Sequence, residues 1–238
     1  MNSPLPFDQL RQDGYALLRG VFSATYTTSL AERLCIALEA DEASVLRSRG
    51  QAYGSRDLIR VFPEVCDIPH CPILKEFIRT VLGPRAGLVR VLFFDKPPER
   101  SWSLTWHKDL TIAVKNNDQP SSHFRCPTVK AGIPHVEAPE SLLASMLTLR
   151  LHLDPMTSEN GPLSVMPGSH AVETGAVGQA VEIHAEAGDV MAMRPLLTHS
   201  SSQSKAGTLL HRRVIHLEFA PCAELPDGYE WHTFKLVA

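Results

Sequence analysis

Trp106-His107-Lys108-Asp109-Leu110-Thr111 is the stretch on which the reading of this chain turns. Successive side chains of a β-strand point to opposite faces, so His107 and Asp109 share one face. From Leu104 to Val114 the even positions (Leu104, Trp106, Lys108, Leu110, Ile112, Val114) form a nearly apolar row, and the odd positions (Thr105, His107, Asp109, Thr111, Ala113) form a small, polar one. One row is therefore expected to pack on a core and the other to line a polar cavity. His199, on a later strand, would add a second imidazole. Two imidazoles and one carboxylate around one side of an ion suit Fe(II) and leave the opposite coordination positions open.

The His-x-Asp/Glu pattern alone does not select that pair. It also occurs at His135/Glu137, His152/Asp154, His184/Glu186 and His216/Glu218. His135-Val-Glu137 is bracketed by Pro134 and Pro139, which suits a loop. His184-Ala-Glu186 runs into Gly188-Asp189 and reads as a solvated strand ending in a turn. His152-Leu-Asp154 is the rival, because Leu147, Leu149, Leu151 and Leu153 alternate with Thr148, Arg150 and His152. Alternation leaves the choice between His107 and His152 open.

Several further segments carry a resemblance. They are Asp13-Gly-Tyr-Ala-Leu-Leu-Arg-Gly20, Trp106-His-Lys-Asp109 and Glu159-Asn-Gly-Pro-Leu-Ser-Val-Met-Pro-Gly-Ser-His170, followed by Gly188-Asp-Val190, Thr198-His-Ser-Ser201 and Arg212-Arg-Val-Ile-His-Leu-Glu218. In this order they resemble the phytanoyl-CoA dioxygenase family of Fe(II)/2-oxoglutarate oxygenases, and the Asn-Gly-Pro-Leu and Pro-Gly-Ser-His runs are the most specific. The resemblance implies that His107, Asp109 and His199 are the metal ligands and catalytic centre. It makes His152 a pocket-lining candidate instead. Thr148, Arg150 and His216 are further pocket or substrate candidates. Arg56 and Arg60, four apart and on one helical face if that segment is helical, read first as a solvated face, with anion binding to substrate or cosubstrate as the alternative. The resemblance also implies Fe(II), 2-oxoglutarate and O2 as cofactors, with ascorbate as a candidate reductant. The reaction expected is hydroxylation of a small metabolite with release of succinate and CO2. Asp109 argues against the family's halogenating variant, which needs a small residue there to admit chloride.

The far carboxylate of 2-oxoglutarate calls for a buried, forked, permanently charged donor, which is Arg rather than Lys. Arg212 and Arg213 are both available. On Leu209 to Phe219 the odd row includes Leu209, Ile215, Leu217 and Phe219, and the even row is Leu210, Arg212, Val214, His216 and Glu218. The even row should face the interior, and the family's arginine aligns with Arg212. Ser201 shares parity with His199 and would add a hydrogen bond, as the matching family position does.

Composition sets the frame. The 238 residues are 44% hydrophobic and 21% charged, ordinary for one globular domain spanning 1–238. The net charge of −3 argues against a polyanionic partner, so no nucleic acid is expected. No run approaches the length of a membrane span. The first residues lack the basic and apolar blocks of a signal peptide, and five cysteines without C-x-x-C spacing fit a reducing compartment. The expectation is a cytoplasmic enzyme, monomer or homodimer, acting on a small molecule.

The fold class expected is α+β, mainly β. The first 85 or so residues read helical, with one helix capped by Ser23 and running to about Arg49 before Gly50, and a second from Pro72 to Leu82. Strand candidates follow at Leu88–Phe94, Leu104–Val114, Leu142–Leu153, Ser164–Met166, Val190–Met193 and Leu210–Phe219. The resemblance sharpens residues from about 86 to 238 to a double-stranded β-helix (a jelly-roll, cupin-like core) with the helices on one sheet. Asn116 to Pro139 reads as a mobile loop able to close over the site. Trp102 and Trp106 read as core residues. Alternatives from other classes are a cupin-like metal-dependent isomerase or hydrolase, and a catalytically silent binding protein of the same fold.

Overall fold

The computed structural model describes residues 5–41, 45–48, 51–98, 100–171 and 179–237. Strands are numbered in chain order. The large sheet is antiparallel throughout, in the order β1 (Tyr15–Leu18), β12 (Val190–Met193), β9 (Leu147–His152), β14 (Arg212–Ala220), β4 (Gly87–Lys96), β3 (Gln51–Ser55), β2 (Val45–Ser48), and β15 (Lys235–Leu236) also pairs with β4. A four-stranded sheet of β11 (Val181–Ile183), β10 (Leu163–Val165), β13 (His199–Ser201) and β5 (Leu104–His107) packs against it as the second layer of a jelly-roll. A third sheet holds β6 (Thr111–Ala113), β8 (Ile133–Glu137) and β7 (Arg125–Lys130).

Among the described residues there are five α-helices: α1 (Phe7–Asp13), α2 (Ala24–Ala40), α3 (Leu58–Val61), α4 (Pro72–Leu82) and α5 (Glu140–Ser145). Leu30, Leu34 and Leu38 of α2 and Leu74, Phe77 and Ile78 of α4 cover the outer face of the large sheet. There they meet Val91 and Phe93 of β4, Leu147, Leu149 and Leu151 of β9, and Ile215, Leu217 and Phe219 of β14. Each such side chain contributes about 1.5–3 kcal/mol on burial. Beneath the helices the outer face is thus apolar, which leaves the alternate row of the same strands for the interior. Among the described residues, no helix is long and apolar enough to cross a membrane.

Several expectations need correction. The first 85 residues are not only helical, since they supply β1, β2 and β3 to the large sheet. Ser23 does cap α2, its Oγ accepting from the Tyr26 N–H at 3.2 Å. The helix nevertheless stops at Ala40, because Asp41 is extended and the Arg47 guanidinium donates to the carbonyls of Leu38, Glu39 and Asp41. That cap satisfies the orphan carbonyls of the last turn. The expected stop at Gly50 lies outside the described residues.

Leu142–Leu153 divides into α5 and β9, because the Leu142 and Leu143 amides close a turn on the Pro139 carbonyl. Asn116 to Pro139 is no open loop. β7 and β8 form a hairpin there through Ala131-Gly132, both with positive φ, as a two-residue primed turn requires. His135 accordingly sits on a strand and is buried.

Leu104–Val114 is two strands. β5 pairs with β13, but the Asp109 amide then donates to the Pro195 carbonyl, and Leu110 accepts from Ala138 as the chain enters the third sheet. The change of sheet breaks the alternation. Leu104 and Trp106 are left 47% and 42% exposed, not packed in a core.

Gly188-Asp189 locks β12 to the N-terminal segment. Asp189 accepts from Arg19, the Gly20 amide and the Glu186 amide at 2.7, 2.7 and 2.9 Å, while Gly188 has φ +92° and abuts the Phe22 carbonyl. Gly207 has a similar φ of +80° but open space around it. Gly207→Ala is therefore expected to lose only backbone strain, about 1–3 kcal/mol. Gly188→Ala should lose clearly more, because its Cβ meets backbone. Urea denaturation midpoints of the two variants against the parent check the order.

Candidate active site

A cavity of about 380 Å3 lies between the two main sheets. Its wall from the large sheet is the inner row of three strands. On β4 this row lines the cavity with Arg90, Leu92 and Phe94 and continues to the buried Lys96, on β14 it includes Arg212, His216 and Glu218, and on β9 it reaches the cavity at Arg150. The opposite wall is built from Leu104, His107, Leu163, His199 and Ser201.

His107 and His199 are register partners across β5 and β13, with ring centroids 4.3 Å apart. The backbone turn after β5 brings in Asp109, whose Oδ2 is 3.8 Å from His199 Nε2. One ligand atom from each of the three lies within 4.8 Å of the others. Both rings donate from Nδ1 to a carbonyl two residues earlier, Thr105 at 2.7 Å and Leu197 at 2.9 Å. That bond fixes the tautomer and leaves Nε2 as a free lone pair, the arrangement that orients metal-binding imidazoles. Burial lowers the His199 pKa to about 4, so its ring is neutral near pH 7. The donor set fits a divalent ion held on one face.

Ser201 lies two residues beyond His199 on the same face, about 6.6 Å along the strand. Its Oγ accepts from Lys96 Nζ at 3.0 Å, and Lys96 also donates to the Ser202 carbonyl at 2.7 Å. Lys96 is 0% exposed. Burial, reinforced by Arg212 and Arg150, lowers its pKa to about 7. Arg212 is the register partner of Lys96 and is 4% exposed. Its Nε and Nη1 find no partner among the described residues, and burial followed by the Arg150 charge lowers its pKa to about 9. Buried guanidinium donors without acceptors are costly; a carboxylate on this floor would satisfy them.

Arg213, one residue on, faces the other way. Its Nε and Nη2 donate to the two oxygens of Asp154 at 2.8 and 2.6 Å, and that pair holds its pKa above the usual value. Of the remaining sequence candidates, Arg56, Arg150 and His216 line the cavity, whereas Thr148 and His152 do not. Both share the inner parity of Arg150, but they are sealed beneath the wall. Trp102 also lines the cavity rather than a core, edge-on to Tyr53 at 5.7 Å. Sequence reading missed Lys96. Extending the alternation of Leu88–Phe94 by two residues would have placed it in the row of Arg90, Leu92 and Phe94.

The motifs around turns act as braces. Asn160 Nδ2 donates to the carbonyls of Pro155 and His211, and its Oδ1 accepts from the Thr157 amide. This ties the segment before β10 to the one before β14 and so sets the floor at Arg212. Ser169 Oγ accepts from the Thr198 amide at 2.8 Å, which steadies the residue before His199.

At the other end, Arg90 binds Glu218 in a fork, with distances of 2.9 and 2.6 Å. Burial would raise the Glu218 pKa, but Arg90 outweighs it and holds the carboxyl at about 2. A depressed carboxyl contributes stability that is fully present above its ordinary pKa of 4.5 and is lost as pH falls toward 2. Glu218→Gln is expected to cost about 3 kcal/mol by leaving Arg90 unpaired. It should also flatten the loss of stability between pH 4.5 and 2. Denaturant titrations across that range test both.

Among curated proteins, none matches this sequence. Solved structures do. AviO1 from Streptomyces viridochromogenes Tue57 is 22% identical, covers 92% of this chain and 95% of its own, and has a TM-score of 0.63. EctD from S. alaskensis with bound Fe is 17% identical, over 95% and 84% of the two chains, at TM-score 0.68. The non-heme alpha ketoglutarate dependent epimerase SnoN from nogalamycin biosynthesis is 15% identical, over 97% and 96%, at TM-score 0.65. These establish a shared fold. The sequence profile of phytanoyl-CoA dioxygenase matches residues 10–213, and with that the chain belongs to the phytanoyl-CoA dioxygenase family of oxygenases, which use Fe(II), 2-oxoglutarate and O2.

Proposed function

We propose that this protein is a hydroxylase of a small metabolite, with His107, Asp109 and His199 holding Fe(II) and with Arg212 and Ser201 holding 2-oxoglutarate by its far carboxylate. The observation that carries the reading is one cavity that joins a three-ligand face to a buried arginine lacking acceptors. The separation suits the cosubstrate: two residues of strand divide His199 from Ser201, a span that a five-carbon diacid bridges. Bound together, the metal and cosubstrate supply the oxidant from O2, with release of succinate and CO2.

The chain's own residues do the rest. Arg212 fixes the far carboxylate with its forked donors, and Lys96 holds the Ser201 hydroxyl in place beside it. Leu92, Phe94, Leu104 and Leu163 make the cavity wall between the charged groups apolar, which limits water there and strengthens those interactions. Asp109 supplies the third ligand, so no position is vacated for a halide. Thr105 and Leu197 keep both imidazoles turned with Nε2 inward.

Hydroxylation is one of several outcomes that this chemistry supports, since an epimerase and the carbocyclase SnoK have the same fold. Turnover under 18O2 separates them. One 18O atom in the product is expected, whereas inversion or ring closure without incorporation would refute the hydroxylase.

Under nitrogen, Fe(II) plus 2-oxoglutarate should give a weak visible charge-transfer band. His107→Ala and Asp109→Ala should each abolish it together with turnover. His152→Ala should leave iron binding intact, because neither of its nitrogens reaches the cavity. Arg212→Ala should weaken 2-oxoglutarate about tenfold or more, the worth of a charged hydrogen bond. Arg213→Ala should leave that affinity nearly unchanged, its guanidinium being committed to Asp154. A band that never forms, with no succinate produced in air, sinks the reading.

A further inference from the structure

Five lysine and arginine side chains line the cavity against two carboxylates, Asp109 and Glu218. Loading the site does not remove this surplus, because Fe(II) and the dianion of 2-oxoglutarate bring equal and opposite charge. Glu218 is already taken by Arg90, and the proposed cosubstrate clamp uses Arg212. Arg56, Lys130 and Arg150 remain.

None of these three has a carboxylate partner among the described residues. Lys130 Nζ donates only to the Thr111 hydroxyl, at 3.1 Å. Arg150 is 6% exposed, meets only His216 Nδ1 at 3.4 Å, and leaves its Nε without a partner. Arg56 and Lys130 are half-buried at the cavity wall. Burial and the charge of Arg90 lower both their pKa values, and Arg56 acts on Lys130 as well, so the groups lie near one another. Like charges gathered in a partly dry cavity repel and are poorly solvated, and a bound oxyanion relieves both costs. Next to this cationic corner the wall is apolar, formed by Leu46, Tyr53, Trp102 and Leu104.

We infer that the substrate carries an oxyanionic group, a carboxylate or a phosphate monoester, held by Arg56 and Lys130, with its apolar body lying along Tyr53, Trp102 and Leu46. This rests on the hydroxylase reading, since it takes the metal face and the Arg212 end of the cavity as already filled. Arg150, deeper and near Asp109, adds attraction for the same charge. The binding of an anion here makes Arg56 and Lys130 specificity residues, and neither touches the metal or the cosubstrate.

The test uses holoenzyme saturated with Fe(II) and 2-oxoglutarate under nitrogen, at constant ionic strength. Three probes are titrated: 3-phenylpropanoate, phenyl phosphate and the neutral 3-phenylpropanamide. Binding is read by calorimetry and by the shift of the visible band. At least one of the two anions should bind at least tenfold more tightly than the amide. The double variant Arg56→Gln/Lys130→Gln should lose that preference while keeping its 2-oxoglutarate affinity. The charge-conserving double variant Arg56→Lys/Lys130→Arg should retain it, which separates loss of charge from loss of fold. The inference is overturned if neither anion binds, if the amide binds as well as the acids, or if the glutamine variant keeps the preference. A missing charge-transfer band before any probe is added counts instead against the hydroxylase reading, so the two failures are distinguishable.

Discussion

Everything at this site depends on the two-residue period of β4, β9 and β14. Because alternate side chains leave a strand in opposite directions, each of these strands carries an apolar row and a polar row. The apolar rows are consumed by α2 and α4, and burying them fixes the register of the whole sheet, since a slip of one residue would exchange the two faces. The inner rows therefore have no freedom in where they point. The helices on the outside hold Arg150, Arg212 and His216 in the cavity.

How much of this was legible in the sequence follows from which elements obey a single period. Pro72–Leu82 and Val190–Met193 appear with the bounds the sequence implies, because proline, glycine and apolar runs mark their ends locally. The division of Arg212 from Arg213 was also legible, since nothing interrupts the alternation from Arg212 to Glu218 before the bulge at Glu218/Phe219. Leu104–Val114 was misread in its packing for the opposite reason. The chain changes sheets at Asp109, and a change of partner strand leaves no local mark on composition. Thr148 and His152 share the parity of Arg150, yet parity gives direction and not depth, so it could not exclude them from the cavity wall. The strands β1, β2 and β3 were hidden because each is four or five residues long and is defined by its sheet partner rather than by its own pattern.

The turn motifs gain meaning once placed. Asn160 spans two carbonyls and an amide, which no apolar residue could do, and it sits where the segments leading to β10 and β14 meet. Asp189 performs the same service for the N-terminal strand, and Ser169 does so for the residue preceding His199. These residues contact neither the metal face nor the floor at Arg212. Their effect is to remove freedom from loops whose neighbours must be held to fractions of an ångström.

Parity also explains how so many cations survive unpaired in a chain whose net charge is −3. Carboxylates that could neutralise the floor of the cavity are close in sequence but on the wrong face. Asp95 precedes Lys96 and pairs with His211 at 3.0 Å, while Asp154 is occupied by Arg213, the neighbour of Arg212. Across β4 and β14, Asp95 is the register partner of Arg213, just as Lys96 is that of Arg212. At this end of the cavity outward positions thus hold satisfied ion pairs, and inward positions hold guanidinium groups with donors to spare. Distance alone would not keep these two populations apart, since adjacent residues alternate between them. The strand geometry does, and it turns the cost of burying uncompensated charge into affinity for whichever anion enters the cavity.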